Sequence, residues 1–183
     1  MSQHTTVVLV EGISDKIALE TLARRLGRDL AGDGITIVPI GGAQAIGRAL
    51  LSVAPGERVA GLCDAGEESD FRRGLERAGL GSRLDRADME ALGFYVCDAD
   101  LEDELIRALG TAAVEEIVEA EGDLRSFRTL QKQSPWRDRD PHDQLRRFMG
   151  SGARRKTRYA ELLVGALEPR DVPRPLRGVL AHV

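Results

Sequence analysis

Aromatic residues are scarce in this 183-residue chain, 4% against 42% hydrophobic residues in all. A core is possible, but it must be built mainly from Leu, Val, Ile and Ala. Two cysteines, Cys63 and Cys97, are too few for a disulfide framework. Three histidines, His4, His142 and His182, are scattered near loops or ends and read as surface residues. Without more Cys and His close together, a zinc site has no ligand set. Both cysteines end apolar runs and precede an aspartate, and they read as reduced core thiols. No run approaches the ~18 apolar residues of a membrane span. The start, Met1-Ser2-Gln3-His4-Thr5, has no basic segment leading into an apolar one. The expectation is a cytoplasmic protein without a membrane partner. No GxxxxGK[ST] loop follows a strand, so the chain alone should not hydrolyse nucleoside triphosphates. Internal repeats and low-complexity segments are also absent.

What is present is charge, unevenly spread. Residues 1–124 carry 12 Lys+Arg against 24 Asp+Glu, a net −12, whereas residues 125–183 carry 14 against 6, a net +8. An acidic front can hold metal and a basic rear can hold a phosphate backbone. Solvated Arg-rich helices would give the same count.

Strand and helix patterns alternate along the front. Thr6–Val10, Ile35–Ile40, Val59–Cys63 and Phe94–Cys97 read as short buried strands. Between and after them, helices are expected from Ser14 through Leu26, over Ala43–Val53, over Ser69–Ala78 and over Leu101–Leu109, with Ser14 as a cap. Such spacing predicts right-handed crossovers and a parallel α/β sheet. After residue 110 only helices are expected: Thr111–Glu121, Leu124–Gln133, Asp143–Met149 and Thr157–Leu167. The tail Glu168–Val183 holds Pro169, Pro173 and Pro175 and reads as an irregular strap. The division is 1–110 as a catalytic core and 111–183 as a basic helical extension packed on it.

Three of the four strand ends deliver acid; the second runs into Gly41-Gly42. Val10 runs into Glu11-Gly12, with Asp15 close behind; Cys63 runs into Asp64-Ala65-Gly66-Glu67-Glu68. Cys97 runs into Asp98-Ala99-Asp100-Leu101-Glu102-Asp103-Glu104. Sites in open α/β sheets form at the carboxyl ends of strands. Carboxylates gathered there repel unless a hard cation such as Mg²⁺ neutralises them. Some have structural uses as well: Asp15 as a first-turn helix acid, Asp64 as a turn former, Asp100 as a cap. Five acids in seven positions exceed what capping needs. A basic counterpart lies at Gly150-Ser151-Gly152-Ala153-Arg154-Arg155-Lys156-Thr157-Arg158-Tyr159. Glycines leading into Arg-Arg-Lys can clamp a phosphate and bring Lys156 to a scissile group.

Together these pieces resemble the TOPRIM domain of topoisomerases, primases and several nucleases, over roughly Thr6 to Leu109. They are most similar to the nucleases of the overcoming-lysogenization-defect (OLD) type. The carriers are Val10-Glu11-Gly12-Ile13-Ser14-Asp15-Lys16, the strand-end Asp64, Asp100-Leu101-Glu102-Asp103-Glu104-Leu105 and a late lysine at Lys156. The resemblance implies a four-stranded parallel sheet flanked by helices and phosphodiester chemistry dependent on Mg²⁺ or Mn²⁺. It implies Glu11, Asp15 and Asp64 around one ion, with Asp100 and Glu102 helping to place a second. Most TOPRIM domains carry Asp-x-Asp at the third strand, and here the second position is Gly66. Glu67 or Glu68 is the carboxylate available to replace it. OLD proteins also fuse the domain to an ATPase, which this chain lacks.

The expected activity is a two-metal endonuclease, acting on DNA before RNA, with water as nucleophile. Glu11 and Lys156 are the candidate catalytic residues. The candidate metal ligands are Glu11, Asp15, Asp64, Glu68, Asp98, Asp100 and Glu102. Arg154, Arg155, Lys156 and Arg158 are the candidate nucleic-acid contacts. The alternatives are a catalytically weak module that binds metal or nucleic acid beside a separate ATPase partner, and a small-molecule phosphatase on the same scaffold.

Overall fold

The computed structural model describes residues 5–183; the first four residues, His4 included, lie outside this range. Four parallel strands form one sheet: β1 (Thr6–Val10), β2 (Ile35–Pro39), β3 (Arg58–Asp64) and β4 (Phe94–Cys97), in the order β2-β1-β3-β4. The chain leaves β1 toward one edge and returns to its other side as β3. This reversal opens a crevice past the strand ends, between β1 and β3.

Helices cover both faces. Alternation along the strands sends Val8, Val10, Ala60, Leu62 and Cys97 to one side, and Leu9, Cys63, Phe94 and Val96 to the other. The first side packs against α1 (Ile13–Arg25), α5 (Leu101–Leu109) and the helices beyond them. The second packs against α2 (Ile46–Leu51), α3 (Glu68–Arg77) and α4 (Arg86–Ala91). Cys63 and Cys97 sit on neighbouring strands, yet their thiols point to opposite faces and remain free. Gly61 is required at the centre of the sheet: a Cβ there would stand 2.6 Å from the Phe94 ring and 2.8 Å from the Leu9 carbonyl.

Residues 111–183 form α6 (Thr111–Ala120), α7 (Leu124–Gln131), α8 (Pro141–Met149), α9 (Ala153–Ala166) and α10 (Arg174–His182). They share the α1 side of the core, with Phe127, Phe148 and Tyr159 meeting edge-on at its centre. α9 lies along α1, where Arg25 donates to the carbonyls of Gly165 and Leu167.

Several local expectations need correction. The tail contains α10 and is not an irregular strap. Pro173 caps this helix and Pro175 occupies its first turn, where a missing N–H costs nothing. Leu176, Val179 and Leu180 are buried, and Gly178 lies against the Tyr95 ring. α4 escaped notice because its apolar anchor is essentially Met89 alone. Gly12, not Ser14, caps α1, and Ser14 is buried inside the helix. His142 and His182 are only partly exposed: His142 Nε2 stands 2.7 Å from Asp103 Oδ1, and the His182 ring packs on Gly93.

Candidate metal centre and basic cleft

Glu11 follows β1 and Asp64 ends β3, so the crevice receives one carboxylate from each wall. A 3-10 turn, Ala65–Glu67, then folds Glu67 back beside them. One oxygen from each of Glu11, Asp64 and Glu67 lies within 4.8 Å of the other two. The Ala65 N–H donates to the Ala99 carbonyl at 3.3 Å, which holds the end of β3 beside the loop leading to Asp100.

The electrostatics are costly without a cation. Burial first, then the charge of Glu67, raises the Glu11 carboxyl above its usual range. Asp64 is pushed up to about 8 by burial and by Asp15, Asp100 and Glu11, with Lys156 pulling the other way. Burial lifts Asp15 to about 6, although the Gly12 N–H donates to its Oδ2 at 2.8 Å. Glu102, also buried, is raised in spite of Lys156. Burial lowers the Lys156 ammonium, but Glu102, Asp64, Asp15 and Asp100 outweigh it and the net shift is upward.

Two buried carboxylate oxygens, Glu11 Oε2 and Glu102 Oε1, have no hydrogen-bond partner. Lys156 Nζ stands 3.5 Å from Glu102 Oε1, an ion pair too long for a good hydrogen bond. An unpartnered buried carboxylate oxygen among converging acids, with an all-oxygen donor set, fits a hard divalent cation. Glu11, Asp64 and Glu67 are the residues suited to hold it.

The sequence profile described as "Overcoming lysogenization defect protein-like, TOPRIM domain" matches residues 4–53. No curated protein matches the chain. Among solved structures, the C-terminal region of the Xanthomonas campestris pv. campestris OLD protein superposes with a TM-score of 0.74 at 26% identity, over 97% of this chain and 91% of that one. The C-terminal region of the Burkholderia pseudomallei OLD protein superposes at 0.70 and 21% identity, over 97% and 95%. The fold is that of an OLD-type TOPRIM domain.

Within this fold the acids named from sequence divide by task. Glu11 and Asp64 converge, and the third carboxylate beside them is Glu67 rather than Glu68. Glu68, first residue of α3, turns to Arg86 and accepts its Nε at 3.1 Å and Nη2 at 2.6 Å. Asp98 is exposed, between Arg86 and Arg107. Asp100 caps α5 through the Asp103 N–H and accepts Arg146 Nε at 2.8 Å. Glu104 braces the turn by accepting the Asp98 N–H, and Asp103 ties α5 to His142 of α8. Asp98, Asp103 and Glu104 thus serve the turn and its packing, while Glu102 faces Lys156.

The basic helix start divides as well. Arg155 lies over the Phe148 ring, 4.2 Å from its centroid, and bonds Ser151. Arg158 is held by Glu121 at 3.0 and 3.2 Å. Arg155 is committed inside the fold and Arg158, though exposed, is paired with Glu121; Arg154 is exposed and Lys156 faces the acids. A basic cleft does exist, one helix earlier. Arg139, Arg146 and Arg147 line it with Trp136 and Lys156. Only the pair Arg146-Arg147 is consecutive, so no longer basic run marked it; the side chains come from the loop before α8, from α8 and from α9. No helix among the described residues is long and apolar enough to cross a membrane.

Proposed function

We propose that the protein is a divalent-metal-dependent nuclease that hydrolyses phosphodiester bonds in DNA. The observation that carries this reading is the convergence of Glu11, Asp64 and Glu67 at the β1–β3 crevice, within the field of Lys156. Glu11, Asp64 and Glu67 would hold Mg²⁺ or Mn²⁺, which when bound would supply a more acidic water and offset charge on the phosphate. Lys156, kept charged by the surrounding acids, offsets charge that builds on the phosphoryl oxygens. Asp100 and Glu102 remain to hold a second ion; their present partners, Arg146 and Lys156, would be exchanged for it. Both tyrosines are withdrawn from the site, which favours water as nucleophile. Tyr159 is buried and donates to Asp123, and Tyr95 lies under α10.

Gly66 supports a second reading, a weak catalyst that works with a separate ATPase, because its position supplies no carboxylate. RNA is the alternative substrate. One experiment separates these. Supercoiled plasmid and a structured RNA are each incubated with the protein in Mg²⁺, Mn²⁺ or EDTA, beside Glu11→Gln. Nicking that needs metal and Glu11 is expected. Cleavage that persists in EDTA would refute the metal site, and failure on both substrates would favour the partner-dependent module.

A further inference from the structure

We propose that the cleft beside the acidic centre is a binding track for single-stranded nucleic acid, with Trp136 as its base-stacking platform. The proposal deepens the nuclease reading and rests on it for where the strand leads. A cavity of about 520 Å³ opens between the start of α5 and α8, and its walls include Trp136, Arg139, Arg147 and Lys156. It runs from the metal-centre side, at Glu102 and Lys156, out to the loop before α8.

The cations are unequal. Arg146 and Lys156 already face Asp100 and Glu102. Among the described residues Arg139 and Arg147 form no ion pair, and both are exposed. The exposed Asp143 shares the cavity and biases phosphate away from its own wall. Two uncommitted guanidiniums are what a phosphate backbone requires.

Trp136 is the chain's single tryptophan. It lies outside both apolar clusters of the core and is half-buried at the cavity wall. The Arg147 guanidinium lies 5.8 Å from its ring centroid, giving a cation and an aromatic surface together. The loop is fixed from below: the buried Gln144 donates to the Trp136 carbonyl at 2.7 Å and accepts from Gln131 at 2.7 Å. An indole held in place beside free arginines, on the way to an acidic centre, suits a base that has left its stack. Within a duplex both faces of a base are covered, so the platform selects unpaired strands.

The single indole makes the test direct. The full chain is titrated in EDTA and low salt with a thymidine 12-mer, a uridine 12-mer and a blunt DNA duplex, following tryptophan fluorescence and the anisotropy of a labelled strand. Saturable quenching by single strands, weaker for the duplex, is expected. Trp136→Ala should weaken single-strand binding about tenfold and Trp136→Phe much less. Arg147→Ala should reduce the salt dependence by about one released ion. The two 12-mers decide between DNA and RNA. Equal affinity and equal quenching with the duplex, binding without quenching, or no binding to any strand would each overturn the proposal. Because no metal is present, cleavage can fail while this track stands, and metal-dependent cleavage without quenching would refute the track alone.

Discussion

Removing the charge of Asp64 should make the metal-free protein more stable. Its carboxyl is pushed from 3.8 to about 8, chiefly by burial, with Asp15, Asp100 and Glu11 adding repulsion. A carboxyl raised on folding contributes fully below its unfolded value, and the contribution is lost as pH rises toward the folded value. The wild-type protein in EDTA should therefore lose stability between about pH 4 and pH 8. At about 1.4 kcal/mol for each tenfold displacement of the proton equilibrium, the cost at pH 8 has an upper bound of roughly 5 kcal/mol. Solvent at the partly open rim screens some of it. A buried Asn amide in place of the carboxylate still needs hydrogen-bond partners, which takes back more. A net gain of about 2 kcal/mol for Asp64→Asn corresponds to roughly 4–8 °C in melting temperature for a chain of this size. The assay is thermal melting of both proteins at pH 5 and pH 8, in EDTA and in Mg²⁺. The difference in EDTA should appear at pH 8 and shrink at pH 5. Ion binding at a hundred times Kd would stabilise wild type by about 2.7 kcal/mol, and the variant should lose most of that gain. A variant that melts at or below wild type in EDTA at pH 8, or that keeps the full magnesium gain, would refute the reasoning.

Other expectations follow from single positions. Gly66→Asp should tighten Mg²⁺ or Mn²⁺ binding by calorimetry, since nothing lies within 4 Å of a Cβ there and the substitution adds a carboxylate two positions after Asp64; unchanged affinity would mean that the 3-10 turn points this position away. Glu67→Gln should lower metal affinity about tenfold or more while Glu68→Gln should not, because Glu68 is occupied by Arg86; the reverse order in a metal titration would reject the triad. Gly178→Ala should destabilise the fold by about 1–3 kcal/mol in urea unfolding, as its Cβ would meet the Tyr95 ring at 2.2 Å; a neutral result would mean that α10 can slide on β4.

The strands were legible because each is a short apolar run, three of them ending in acid and β2 in a glycine pair, and a buried parallel strand needs little else. Glu11 and Asp64 were legible for the same reason, since a strand end fixes where the next residue lies. Glu67 against Glu68 was not decidable, because a 3-10 turn and an α-helix start aim adjacent residues differently and composition does not distinguish them. The arginines of α9 misled through proximity: three basic neighbours look like one patch, yet Phe148 and Asp123 draw Arg155 into the fold and Glu121 pairs with the exposed Arg158. Trp136 and Arg147 belong to one site only after the loop before α8 has folded back. The prolines of the tail read as breakers because the same residue that stops a helix also starts one.

The placement of Lys156 on α9, alongside α1, sets an order in time. A ribosome delivers Glu11, Asp64 and Glu67 long before it delivers the lysine, and the lysine reaches them only when α9 docks. Until that late step the nascent chain holds a nest of acids without the ammonium that faces them in the folded protein. Such a chain has reason to remain open at the crevice and little means of cutting a phosphodiester. On the nuclease reading proposed above, cleavage at this centre is deferred until α9 has been made and packed against α1.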